Sequence, residues 1–122
     1  MKRNHNKLVR DRIPDILNER GIAYGAHLLT SHEEMLVAIF DKVQEELDEL
    51  HAAALDSTVD DPDPGHVLEE LVDLTETVDA LRVILGVDVD TLGDAMIAKR
   101  AERGGFEKGI FLDWTEENET EE

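Results

Sequence analysis

Glu45-Glu46-Leu47-Asp48-Glu49-Leu50 returns 24 residues later as Glu69-Glu70-Leu71-Val72-Asp73-Leu74, so one acidic-apolar pattern stands twice in the middle of the chain. Around the first copy apolar residues recur at 36, 39, 40, 43, 47, 50 and 54, and around the second at 67, 68, 71, 74, 78, 81 and 85. Steps of three and four are the period of a helix with one face toward a core; a strand would alternate every second residue. Two amphipathic helices are therefore expected, over about residues 32–55 and 66–85. Ser31, with Glu34 three positions on, forms a capping box for the first, and Gly86 ends the second. The intervening stretch, residues 56–65 (DSTVDDPDPG), reads as a loop from its Pro, Gly and Asp content. Long helices joined this way pack as an antiparallel pair.

Outward from this pair, Pro14 fits the first helical position of a short helix that runs to Arg20 and stops at Gly21, and residues 22–30 read as extended or looped. A fourth helix is expected from Asp90 or Thr91 to Arg103, closed by Gly104-Gly105 and weakened by roughly 1 kcal/mol at Gly93. Beyond it, Phe106, Ile110, Phe111, Leu112 and Trp114 suggest a short strand or an ordered strap, with Phe106 and Trp114 as core or interface groups. The terminal TEENETEE has nothing to bury and is expected to be a disordered acidic tail over residues 115–122. A chain of 122 residues suits one domain, here residues 1–114. The fold class is all-α, a bundle of about four helices. So few helices leave apolar faces uncovered, and a homodimer that completes a larger bundle follows.

Composition narrows the chemistry. There is no cysteine, so any metal must be held by oxygen or by the five histidines, and these lack metal-ligand spacing. The formal charge of −18 repels polyanions and speaks against a nucleic acid polymer or an anionic membrane as partner. The longest apolar run, residues 35–40, is six residues, too short for a membrane span, and the first residues are charged without the apolar stretch of a secretory leader. A cytoplasmic protein is the expectation. Ten of the twelve Lys and Arg lie in residues 1–20 and 99–108, while residues 21–98 hold 19 carboxylates against only Lys42 and Arg82. If both ends fold over the middle, a cation-attracting centre gains an anion-attracting rim, the layout a metal–phosphate ligand needs.

On a helical projection of about 100° per residue, with Leu47 at zero, the apolar stripe centres near roughly −30°. Glu46 then lies about 70° from that centre, Glu49 about 130°, and Glu45 nearly opposite it. Glu70, Asp73 and Glu69 repeat these offsets on the second helix. Glu46/Glu49 and Glu70/Asp73 thus stand on the shoulder of each core face, where two packed helices leave a groove. Carboxylates three apart are neighbours on a helix, and two such pairs across a groove suit Mg2+, or Mn2+ as the alternative. The plainer reading, a solvated acidic face, is the commoner fate of either pair alone; the matched offsets on consecutive helices weigh against it.

These residues resemble the all-alpha NTP pyrophosphatase superfamily, which includes MazG proteins, dimeric dUTPases and phosphoribosyl-ATP pyrophosphohydrolases. Its signature is EExxE, a spacer, then ExxD: here Glu45-Glu46-x-x-Glu49, twenty residues, then Glu70-x-x-Asp73. A narrower likeness, to the phosphoribosyl-ATP pyrophosphohydrolase-like branch, lies in Lys7-Leu8-Val9-Arg10-Asp11-x-Ile13-Pro14 and Lys99-Arg100-x-x-Arg103-Gly104-Gly105-Phe106-x-Lys108. The matches span residues 7–112. The resemblance implies hydrolysis of a nucleotide between its α and β phosphates. It implies metal ligands at Glu46, Glu49, Glu70 and Asp73, Glu45 as auxiliary ligand or base, and a general base that is either Glu45 or Glu49. Lys7, Arg10, Lys99, Arg100 and Arg103 are the candidates for phosphate contacts, and Asp11 reads as a cap for the first helix. Two rivals stand beside this expectation: a non-catalytic helical interaction protein, which the intact signatures disfavour, and a dedicated phosphoribosyl-ATP hydrolase of histidine biosynthesis.

Overall fold

The computed structural model describes residues 1–56 and 64–117. It contains α1 (Ile13–Glu19), α2 (His32–Asp56), α3 (Pro64–Ile84) and α4 (Val89–Arg103), with no strand among the described residues. The all-α expectation holds. The expected loop between the long helices falls largely on residues 57–63, and most of the acidic tail on 118–122, both outside the described residues. Residues packed together in sequence order form two units, Met1–Asp88 and Val89–Glu122.

Local chemistry sets the helix ends. The Ser31 Oγ accepts a hydrogen bond from the Glu34 N–H at 3.0 Å, satisfying one of the donors a helix start leaves open. At the end of α1 the Ile22 N–H reaches the Leu17 carbonyl at 2.9 Å and the Gly21 N–H reaches Asn18 at 3.1 Å. This pairing requires a left-handed residue at Gly21, whose φ is 67°. The same arrangement closes α3, with Val87 on Arg82, Gly86 on Val83 and φ 74° at Gly86. Two local expectations need correction. Pro64 and Gly65 belong to α3 rather than the loop, because Pro is at home in a first helical turn, where its missing N–H has no partner to lose. Asp11 does not cap α1: the cap position is Arg12, and no side chain among the described residues bonds there.

In the first unit α2 packs on α3. Glu46, ten residues before the end of α2, gathers with Glu70 and Asp73, six and nine residues after the start of α3. Contacts at similar distances from the connection make the pair antiparallel. Among the described residues the three with least exposure are Ile39 (2 %), Ala53 (3 %) and Glu46 (5 %), spaced seven apart along α2. That is the period of a seam between two helices in close contact. The seam is rotated from the centre of the apolar stripe, so Phe40 and Leu47 on α2 and Leu68, Leu71, Val72, Val78 and Val83 on α3 stay exposed. A stripe wider than one partner helix can cover is the reason. It also explains why Glu46, expected on a shoulder, lies inside.

The second unit consists of α4 and the chain after it. Gly104, with φ 83°, caps α4 as its N–H bonds the Arg100 carbonyl at 2.8 Å. A turn follows, with the Gly109 N–H on the Phe106 carbonyl at 3.1 Å. Of the two alternatives, strand or ordered strap, the strand does not form among the described residues. Phe106, Ile110, Phe111, Leu112 and Trp114 are exposed in irregular chain: β-prone composition makes a strand only where another strand offers its backbone. No helix among the described residues is long and apolar enough to cross a membrane.

Candidate metal centre

Glu46 is the centre of an acidic cluster built by the α2–α3 seam. One oxygen from each of Glu46, Glu70 and Asp73 lies within 4.8 Å of the other two, and the same is true of Glu45, Glu46 and Glu49. Glu46 belongs to both groups. The four carboxylates assigned to metal from sequence are therefore brought together. Glu45, placed by projection nearly opposite the core, joins them through side-chain reach.

Burial makes this more than an acidic face. Glu46 Oε1 is 3.3 Å from Lys42 Nζ, whereas Glu46 Oε2 and Glu70 Oε2 are buried with no hydrogen-bond partner among the described residues. A buried carboxylate oxygen without a partner costs about 1–3 kcal/mol. Both orphaned oxygens are on residues of the Glu46–Glu70–Asp73 group. Octahedral Mg2+ with oxygens at about 2.1 Å needs neighbouring ligands roughly 3 Å apart and opposite ones roughly 4 Å apart, so a small contraction of the group would close on the ion. Hard carboxylate oxygens, unsatisfied and converging, fit a divalent cation.

Titration behaviour follows from the same geometry. Burial raises the Glu46 pKa above the ordinary 4.5, opposed by the Lys42 contact and reinforced by the charges of Glu49 and Asp73. Glu49 is also raised, by loss of water around its carboxyl and then by the hydrogen-bonded Glu70. For Glu45, burial again pushes upward, but hydrogen bonds from Lys7 and Lys42 outweigh it and the pKa is lowered. Neighbouring carboxylates thus differ in character: Glu45 is a firmly ionised ion-pair partner, and Glu49 holds its proton more readily.

Cations hold the rim. Lys7 Nζ is 2.8 Å from Glu45 Oε1, and Lys42 Nζ is 3.2 Å from Glu45 Oε2. Arg10 forks, with Nη2 at 2.7 Å from Asp73 Oδ1 and Nη1 at 2.7 Å from Glu76 Oε2. Lys42 and Glu76 were not singled out from sequence. The signal existed: Lys42 stands three and four residues before Glu45 and Glu46, and Glu76 three after Asp73, the spacings at which helical neighbours pair. A shallow hollow lined by Leu68, Glu69, Val72 and Asp73 opens beside the cluster.

Lys99, Arg100 and Arg103 lie on α4 in the second unit, and all three are exposed. Arg103 and Lys108 line a cleft with the Gly104–Gly105 turn between them. Comparison of the chain with protein-family models, curated proteins and solved structures returned no match.

Proposed function

We propose that this chain is a divalent-cation-dependent nucleotide pyrophosphohydrolase of MazG-like fold, acting in the cytoplasm on small nucleotides. The observation that carries the reading is Glu46: a carboxylate inside a helix–helix seam, one oxygen without a partner, shared by two converging carboxylate groups. A solvated acidic face has no reason to bury its central charge with like charges around it and one oxygen unpartnered, which Lys42 on the other oxygen offsets only in part.

In this reading Glu46, Glu70 and Asp73 hold one cation, and Glu46 and Glu49, with Glu45 as auxiliary, are placed for a second. Mg2+, or Mn2+ in its stead, supplies neutralisation of phosphate oxygens and acidification of a water. Glu49 is the better proton acceptor of the two candidates: its carboxyl takes up a proton more readily, whereas Lys42, on the same helix, stays paired with Glu45. Lys7 and Arg10 from the N-terminal arm bind and orient the phosphates; Lys99, Arg100 and Arg103, on α4, are the candidates for phosphate contacts in the second unit. Water adds at one phosphorus of the α–β anhydride, the bond from that phosphorus to the bridging oxygen breaks, the water's proton passes to the carboxylate base, and the products are a nucleoside monophosphate and pyrophosphate.

The exposed apolar residues of α2 and α3 support a homodimer that completes the bundle. The same surface is the one observation that favours the rival, a helical interaction protein without catalysis. Purified chain incubated with a nucleotide panel, phosphoribosyl-ATP included, and Mg2+ distinguishes them, with pyrophosphate measured against orthophosphate. The expected result is pyrophosphate from at least one nucleotide. Absence of turnover across the panel, with Na+ at matched ionic strength stabilising the protein as well as Mg2+ does, favours the interaction protein.

A further inference from the structure

Six carboxylates crowd the α2–α3 seam: Glu45, Glu46, Glu49, Glu70, Asp73 and Glu76. Three cationic side chains meet them, and these differ in how they are tethered. Lys42 projects from α2 itself, with a side chain only 14 % exposed, and its pairs with Glu45 and Glu46 are neighbours on one helix. Lys7 and Arg10 come from the arm before α1, which has no regular structure, and they reach 38 residues to Glu45 and 63 residues to Asp73. Their side chains are 39 % and 53 % exposed. Exposed pairs of this kind are individually weak and easily exchanged.

We propose that Arg10 and Lys7 are built-in stand-ins for the divalent cation: they occupy the carboxylates of the metal-free protein and are released when a cation binds. The inference rests on the metal reading above and concerns what the arm does under it. Asp73 is the pivot, because it is both a member of the converging Glu46–Glu70–Asp73 group and the acceptor of the Arg10 fork. A carboxylate drawn toward a cation in that group gives up charge to it, and of its two acceptors the guanidinium then keeps only Glu76, itself more than half exposed. Glu45 stands in the same relation to Lys7. Loading thus loosens the arm at the moment the centre becomes competent, releasing Lys7 and leaving Arg10 on the exposed Glu76 alone, so that a phosphate captures these side chains only when the cation is already present. The opposite arrangement is the physical alternative: Arg10 orients Asp73 from behind and stays in place.

Trypsin reads this directly, because its specificity pocket must swallow a Lys or Arg side chain that is not otherwise engaged. With Mn2+ or Mg2+ added at constant ionic strength, cleavage after Lys7 and Arg10 in the full chain should accelerate about threefold or more. Cleavage after Arg20, beyond α1, serves as the internal reference and should not change. In parallel, cation titration by calorimetry should give an Arg10→Gln variant that binds about threefold to fivefold more tightly than the parent, while Arg12→Gln, a charge-matched neighbour, leaves affinity within twofold. Weaker binding by Arg10→Gln overturns the proposal in favour of an orienting role. Equal tightening by both variants, or cleavage after Lys7 and Arg10 that does not respond to the cation, overturns it in favour of a general charge effect. A parent that binds no divalent cation removes both this proposal and the metal reading. The cleavage measurement needs no variant, so it decides even if Arg10→Gln folds poorly.

Discussion

Replacing Glu46 by Gln should reverse the order of stability of parent and variant when Mg2+ is added. Without metal, the parent keeps a carboxylate 5 % exposed, with one unpartnered oxygen, at a cost of about 1–3 kcal/mol. Gln is nearly isosteric, removes the charge that Glu49 and Asp73 oppose, and offers an amide N–H to the surrounding carboxylates. Against this stands the loss of the 3.3 Å contact to the largely buried Lys42; the cost of about 3–5 kcal/mol for breaking a buried pair comes from stranding the other charge, and Lys42 keeps Glu45 at 3.2 Å and is not stranded. The balance is a variant more stable by about 1 kcal/mol in EDTA near neutral pH, or a rise in Tm of about 4 °C. At Mg2+ near 100 times Kd the parent gains about 2.7 kcal/mol through selective binding to the folded state, and the variant, short of a ligand, gains little. Thermal melts in EDTA and in Mg2+, each matched in ionic strength with NaCl, are the assay. A variant that melts below the parent in EDTA, or that keeps the full Mg2+ shift, would refute the reasoning.

Glu49→Gln and Asp73→Asn should each abolish pyrophosphate release and shrink the Mg2+-dependent rise in Tm, while the metal-free proteins remain as stable as the parent or slightly more so; a loss of folding in EDTA would instead make these groups structural. The raised pKa values of Glu46 and Glu49 mean that the folded state binds their protons more tightly than the unfolded chain, so this part of metal-free stability is present below about pH 4.5 and lost as pH rises through the folded values. Urea titrations stepped from pH 4.5 to 7.5 should show that decline, with a shallower slope in Glu49→Gln; Glu45, lowered, acts in the other sense below pH 4.5. Gly86→Ala should cost about 1 kcal/mol, since φ is 74° there and no atom lies within 4 Å of the added methyl, leaving backbone strain as the whole effect in a urea midpoint.

What could be read from sequence was what local chemistry decides. The ends of α1, α3 and α4 fall at Gly21, Gly86 and Gly104 because a left-handed residue is needed within a few bonds of each helix, and Ser31 caps α2 for the same short-range reason. The convergence of Glu46, Glu49, Glu70 and Asp73 was also legible, since it needs only two helical periods and an antiparallel pairing. The depth of Glu46 was not. Periodicity locates the centre of an apolar stripe, but which part of it meets a neighbour depends on how many neighbours there are, and α3 covers one edge. Nor do 38 or 63 residues of separation leave a trace from which Lys7 could be matched with Glu45, or Arg10 with Asp73. The aromatic residues after α4 misled, because composition cannot say whether a pairing strand exists.

Glu46 also bears on which alignment of the two helices the chain selects. A seam of Ile39, residue 46 and Ala53 filled with leucine in the middle would be smoother, and it would also be indifferent: sliding α3 by a heptad in either direction would still set apolar against apolar. With a carboxylate there, a slide by a heptad separates Glu46 from Glu70 and Asp73 and forfeits any cation the three could share, while Lys42, on the same helix, travels with Glu46 and favours no one alignment. One polar residue in an otherwise apolar interlock is enough to fix the registry of a helical pair, so the side chain that costs the fold stability is also the one that tells the two helices where to stop.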